Sequence, residues 1–83
     1  MLDGGVWAEI KVGEEHLRLF SEQGAQGLNA SVFNVNTKTW IAPSEPVEDI
    51  EDGKEKAEAY ARAYLKAFRL EPPPIVWKDA RSR

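Results

Sequence analysis

A regular alternation of apolar and polar residues near the start of the chain predicts a half-buried β-strand over residues 6–12. The even-numbered positions of this stretch are all apolar, and the odd-numbered positions carry Trp7, Glu9 and Lys11. Successive side chains of a strand point to opposite faces of the sheet. We therefore expect the even positions to meet the core and the odd positions to lie on the opposite face.

A second strand is predicted over residues 16–20, where Leu17 and Leu19 alternate with polar or aromatic residues. We expect Val12 to pair with Leu17, and Ile10 with Leu19. This register places the apolar sets of both strands on one face, which is what fixes the pairing of a half-buried hairpin.

Composition divides the next part of the chain into a loop, a strand, a turn and a short strand. Residues 21–27 are rich in glycine and polar residues and predict a loop. Residues 28–35 predict a third strand because β-branched and aromatic residues accumulate there. Residues 36–39 predict a turn, and residues 40–42 a short fourth strand that ends at Pro43, since proline cannot donate to a ladder.

Apolar residues at three- and four-residue spacing predict one long helix over residues 50–69. Asp49 is the expected N-cap. An alternative start, with Asp52 as the cap and Glu55 three positions later, would shorten the helix by about one turn. Gly53 falls on the apolar stripe, which suggests a close crossing between helix and strand. We expect the helix to bury Ala57, Ala61, Tyr64 and Phe68, with Tyr60 also in the core.

Strands followed by one amphipathic helix predict an α+β fold: a four-stranded antiparallel meander sheet with one C-terminal helix packed on one face. We assign residues 1–71 to a single domain and residues 72–83 to a proline-rich extended tail, which begins with three prolines. The tryptophan-containing sheet, the acidic lead-in and the helix segment from Glu51 to Glu58 resemble the small, mostly uncharacterised ββββα domains of prokaryotes and phages. The resemblance implies this fold and brings no catalytic residue with it.

Charge and cysteine content narrow the function classes. The 83 residues include 14 acids and 11 bases, for a net charge of −3, which is a poor match to a protein that binds duplex nucleic acid. Residues 45–55 hold six of the acids and one lysine, so a basic patch can form elsewhere. The chain has no cysteine, and therefore no disulfide and no thiolate metal site.

No pattern of residues indicates catalysis or metal binding. His16 is the only histidine, and we expect it to face solvent near a hairpin tip. The acids between Glu45 and Asp52 lack the spacing of a calcium loop and are explained by helix capping and solubility. We expect no catalytic residue, no metal and no cofactor, and hence no enzyme. With no stretch typical of a signal peptide or a membrane span, we expect a cytoplasmic protein.

The sheet face opposite the helix is the candidate binding surface. A third hairpin with Thr37 and Lys38 at its tip would place Val35 opposite Trp40, and Phe33 opposite Ala42. The expected members of this surface are Trp7, Lys11, Arg18, Phe20, Phe33, Val35 and Trp40. An exposed apolar patch of this kind usually marks an interface.

The sequence alone does not decide what binds to this surface. The leading hypothesis is self-association as a homodimer, or binding of an unidentified protein partner. The alternative is single-stranded nucleic acid, with bases on the aromatic rings and phosphates on the cations. The tail residues Ile75 and Trp77 could instead cover the patch or add to a sheet edge. We expect the three prolines to carry the tail away from the helix end, which favours the homodimer.

Overall fold

A computed structural model describes residues 5–24 and 27–79. It confirms the α+β prediction: a five-stranded antiparallel sheet lies beneath one helix. The predicted features at residues 1–4, 25–26 and 80–83, which are the chain start, the middle of the loop and the end of the charged tail, lie outside the described residues. The elements are β1 (Gly5–Val12), β2 (Glu15–Gly24), β3 (Gly27–Asn34), β4 (Thr39–Pro46), α1 (Ile50–Ala67) and β5 (Lys78–Asp79). The strand order in the sheet is β4-β3-β2-β1-β5.

The β1–β2 hairpin turns over only residues 13 and 14. Gly13 has a positive φ of 60°, which glycine adopts without strain in a tight hairpin turn. Ile10 therefore pairs with Leu17, and both predicted pairs, Val12 with Leu17 and Ile10 with Leu19, are wrong. The register differs by an even number of residues, so each side chain keeps its predicted face. Leu17 and Leu19 are both fully buried.

β2 continues through residues 21–24, where the sequence predicted a loop, and it pairs with β3 as far as Gly24 and Gly27. Ser21 is fully buried beneath the helix, and its Oγ donates a hydrogen bond of 2.9 Å to the carbonyl oxygen of Ile50. The serine is small enough to fit beneath α1 and satisfies its hydroxyl there. Its polarity therefore does not indicate a loop.

β4 is longer than predicted and pairs differently with β3. Phe33 pairs with Trp40, so the predicted pairing of Val35 with Trp40 is wrong, and Val35 lies in the turn before β4. β4 also continues past Pro43, where the sequence predicted its end. Because β4 is the edge of the sheet, one side of its backbone has no ladder partner and proline is accommodated.

A β-bulge places Ala42 on the helix side of the sheet. Val32 pairs with Ala42 while the adjacent Phe33 pairs with Trp40, so Ile41 is an extra residue in β4. Ala42 is consequently buried in the core. The predicted pairing of Phe33 with Ala42 on the opposite face is wrong, because strict alternation fails at a bulge.

α1 begins at the predicted cap, since Oδ1 of Asp49 accepts a hydrogen bond of 2.7 Å from the backbone N–H of Asp52. The alternative start at Asp52 is wrong. At the other end, the backbone N–H groups of Arg69 and Leu70 donate to carbonyl oxygens of the last helical turn. Arg69 has a positive φ of 60°, so this is a Schellman-type end without its usual glycine. It stops the helix at Ala67, two residues before the predicted end.

The buried stripe of α1 consists of small residues followed by one leucine: Gly53, Ala57, Ala61 and Leu65. This stripe lets the helix lie close to β2 and β3, and it leaves the aromatic rings at the flanks of the contact. Tyr64 is half-buried. Tyr60 and Phe68 are 39% and 54% exposed, so the predicted core positions of Tyr60 and Phe68 are wrong. The helix and the sheet together bury Ala8, Ile10, Leu17, Leu19, Ala30, Val32, Ala42, Ala57, Ala61 and Leu65.

The tail returns to the sheet instead of leaving the helix end. Leu70 lies beside the β1–β2 turn, and β5 pairs with the start of β1, so residues 70–79 run back along β1. Ile75 and Trp77 pack against the core, and Nε1 of Trp77 donates a hydrogen bond of 2.8 Å to Glu58. The expectation that the prolines carry the tail away is wrong, because an extended segment of this length matches the length of β1.

Candidate functional site

The sheet face opposite α1, here called the outer face, is defined by the strand pairing. Trp7 pairs with Phe20, and Glu9 pairs with Arg18, while their neighbours Ala8 and Leu19 are fully buried beneath the helix. Since side chains alternate along a strand, the outer positions follow directly. Glycines apart, the paired outer positions in β1 to β4 are Trp7, Glu9, Lys11, His16, Arg18, Phe20, Glu22, Asn29, Ser31, Phe33, Trp40 and Pro46.

An aromatic cluster occupies the outer positions of β2, β3 and β4. The Phe33 and Trp40 rings meet edge to face with centroids 4.8 Å apart, and Phe20 lies 6.3 Å from Trp40. Edge-to-face and tilted contacts at these distances are attractive. Trp40 remains 54% exposed, whereas Ser31 on the same face is only 7% exposed. Trp40 is therefore an indole whose ring is held by neighbours and still presents much of its surface to solvent.

A hydrogen-bonded ionic group lies at the other end of the outer face. Nε2 of His16 lies 2.5 Å from Oε2 of Glu9, and Nε of Arg18 donates to the same oxygen at 3.3 Å. The hydrogen bond from His16 lowers the pKa of the Glu9 carboxyl, and Arg18 adds to this effect against the opposing desolvation. Glu9 is thus held ionised by two neighbours on β2.

Trp7 differs from the other aromatic residues of this face because the tail reaches it. Lys78 pairs with Trp7 across the β1–β5 ladder, and its Nζ lies 5.2 Å from the centroid of the indole, within cation–π range. Nε1 of Trp7 is buried and has no hydrogen-bond partner among the described residues. Trp7 is half-buried, so it offers less apolar surface to a partner than Trp40 does.

The outer face therefore divides into two halves. The outer positions of β1 and β2 carry all of its ionisable side chains within the four long strands: Glu9, Lys11, His16, Arg18 and Glu22. The paired outer positions of β3 and β4 carry none, and hold Asn29, Ser31, Phe33, Trp40 and Pro46. We call these the charged half and the aromatic half.

The predicted site residues are only partly brought together. Trp7, Lys11, Arg18, Phe20, Phe33 and Trp40 share the outer face, whereas Val35 lies in the β3–β4 turn. Ile75 and Trp77 pack on the helix side, so this part of the tail does not cover the aromatic cluster. The sequence interpretation missed Lys78 on Trp7 and the link between Glu9 and His16. Both depend on cross-strand pairing, and the wrong hairpin register concealed the second.

A second hydrogen-bonded group, centred on Tyr64, lies at the edge of the core. Oη of Tyr64 donates to Glu15 and accepts from Nδ2 of Asn34, each at 3.0 Å, which satisfies a half-buried hydroxyl at the edge of the core. In residues 5–24 and 27–79, no three His, Cys, Asp or Glu side chains are grouped so that they could hold a metal ion. No helix in residues 5–24 and 27–79 combines the length and the apolar character needed to cross a membrane.

Similarity to other proteins adds no assignment to this geometry. Comparison of the chain with protein-family models, with curated protein sequences and with solved structures gives no match.

Proposed function

We propose that this chain is a noncatalytic interaction domain that self-associates as a homodimer through its outer face. The observation that carries the proposal is the exposure of Trp40, which rests on Phe33 and adjoins Phe20 with 54% of its surface open. Tryptophan and phenylalanine dominate the energetics of protein interfaces, since each buries roughly 150–250 Å². An aromatic cluster on the solvent side of a sheet in a small domain is best explained by a second apolar surface that covers it.

Within residues 5–24 and 27–79, the edges of the sheet offer no comparable site, which favours association through the face. β4 carries Pro43 and Pro46 and departs from regular pairing at its bulge. At the other edge, β5 pairs with Val6 and Trp7, and the rest of the tail runs beside β1. Prolines, bulges and covering segments all prevent the addition of a foreign strand. Association by strand addition is therefore disfavoured on both sides.

A matched pair of substitutions tests the proposal. Trp40 and Phe68 are aromatic residues with equal exposure of 54%, but Trp40 lies on the outer face and Phe68 at the end of the helix. In sedimentation equilibrium we expect Trp40→Arg to raise the dimer dissociation constant at least about 100-fold, and Phe68→Arg to change it less than about threefold. Circular dichroism would confirm that both variants are folded. Equal effects of the two substitutions would contradict a site on the outer face.

A second candidate function is binding of single-stranded nucleic acid on the same face. It is supported by the position of cations beside aromatic rings, with Arg18 paired to Phe33 and Lys78 over Trp7. Glu9 and Glu22 lie on the same face, and the net charge is −3, so this candidate stands second. Fluorescence anisotropy with a labelled oligothymidine would distinguish the two. Binding that weakens steeply as salt rises, and that Trp40→Ala abolishes, would favour nucleic acid over the dimer.

A further inference from the structure

We infer that the two copies of the dimer meet aromatic half to aromatic half, about a two-fold axis that runs parallel to the strands over β3 and β4. The inference rests on the proposed self-association and specifies its geometry. Its starting point is the division of the outer face: the ionisable residues stand on β1 and β2, and the paired outer positions of β3 and β4 have none.

A face-to-face dimer has its two-fold axis in the plane between the sheets. A two-fold axis perpendicular to the strands would stack the charged half of one copy on the charged half of the other. Glu9 and Arg18 would then be removed from water. An axis parallel to the strands and over β2 would place the aromatic cluster on those same ions. Both arrangements desolvate charged groups that are now partly solvated, and this cost opposes association unless each ion is fully compensated in the interface.

An axis parallel to the strands over the aromatic half avoids this cost. It places Phe33 near the partner's Trp40, and it leaves the charged half of each copy projecting into solvent on opposite sides. The result is an apolar, aromatic centre with a polar rim, which is the usual anatomy of a protein interface. Phe20 on β2 then lies at the boundary between centre and rim, and Trp7 with its Lys78 partner lies outside the contact.

Distances between spin labels test this geometry. The chain has no native cysteine, so Thr37→Cys in the β3–β4 turn and Lys11→Cys on β1 each give one labelled site per copy. Both positions are exposed, and both lie near the same end of the sheet, because Nδ2 of Asn36 in the β3–β4 turn donates to the carbonyl oxygen of Glu14 in the β1–β2 turn. Neither substitution removes a residue of the aromatic cluster.

Double electron–electron resonance then compares the two intermolecular distances. With strands about 4.8 Å apart, we expect the distance between the two Thr37→Cys labels to be shorter than that between the Lys11→Cys labels by about 10 Å or more. Equal distances would indicate an axis across the strands, and a shorter Lys11→Cys distance would indicate contact through the charged halves. Either result overturns the inference and leaves the dimer standing. A monomeric mass for the unlabelled protein would overturn the self-association and this inference with it.

Discussion

Gly53 of α1 lies so close to Ser21 of β2 that a methyl group on the glycine would overlap the serine Oγ and come within 2.9 Å of its Cβ. The same serine donates its hydroxyl hydrogen to the carbonyl oxygen of Ile50 at 2.9 Å. The first turn of the helix is thus fixed to the middle of the sheet by one close approach and one hydrogen bond. This contact sets how closely α1 lies on β2.

Gly53→Ala should therefore destabilise the domain although alanine is the better helix former. The propensity gain is about 1 kcal/mol, and we expect the steric overlap to outweigh it, for a net loss of about 1–2 kcal/mol in urea unfolding. A double-mutant cycle with Ser21→Gly provides the control, because removing the serine side chain should reduce the cost of the alanine. A Gly53→Ala protein with a higher melting temperature than the wild type would refute the close contact.

The sequence allowed this crossing to be predicted because helical periodicity places Gly53 on the apolar stripe, where only a close neighbour explains a glycine. The cap at Asp49 was accessible for the same reason, since its signal is local. The hairpin registers were not accessible. They depend on loop length, on the positive φ of Gly13 and on the bulge at Ile41, and alternation alone does not fix these features.

Which residues belong to the candidate site could be predicted from the alternation along the strands. Parity alone placed Trp7, Phe20, Phe33 and Trp40 on one face, since an even register error preserves parity. The predicted meander order and this parity together imply the separation into charged and aromatic halves, which the sequence interpretation did not draw because it treated the outer face as one surface. The path of the tail depends on Ile75 and Trp77 finding space beside the helix, which is a tertiary contact with no local signature.

The partly buried hydroxyl of Tyr64 should make the free energy of unfolding depend on pH in the alkaline range. Burial of Tyr64, together with its hydrogen bond to Glu15, raises the pKa of its hydroxyl above the ordinary value of 10.0. The folded state favours the neutral form, so this contribution is fully present below the ordinary pKa and is lost as pH rises through the higher folded value. We compare the free energy of unfolding in urea between about pH 9 and about pH 11. We expect it to fall less for Tyr64→Phe than for the wild type. Identical alkaline slopes for the two proteins would contradict a coupled hydroxyl.

Glu9 should make the free energy of unfolding depend on pH in the acid range, with a loss of stability as the pH falls. Its pKa is lowered by the hydrogen bond from His16 and by Arg18, so the folded state favours the ionised carboxylate. The stabilisation is present above the unfolded pKa and is lost as pH falls through the lower folded value. We expect Glu9→Gln to be less stable than the wild type near neutral pH, with the difference vanishing in acid. Glu55→Gln is the control, because Glu55 is exposed and lies beyond the first turn of the helix, and it should show little difference at any pH. A Glu9→Gln protein as stable as the wild type at neutral pH would count against the ionic group.

The docked tail should contribute to folding stability through Trp77. This residue packs against the core and donates to Glu58, whereas its neighbour Val76 is 66% exposed. We expect Trp77→Ala to lower the free energy of unfolding by about 2–3 kcal/mol, less than for a fully buried tryptophan, and Val76→Ala to change it by less than about 0.5 kcal/mol. Equal, small effects of both substitutions would mean that the tail is not anchored on the domain in solution.

Self-association through an apolar interface is tested most directly by the solution mass of the wild-type protein at two salt concentrations. The chain has a mass of 9.3 kDa. An interface with an apolar centre and its charges at the rim should persist or strengthen in high salt, since salt screens ionic contacts but does not weaken apolar burial. We expect sedimentation equilibrium to give twice the chain mass in both low and high salt. A monomer at high protein concentration, or a dimer that dissociates as salt rises, would contradict the account.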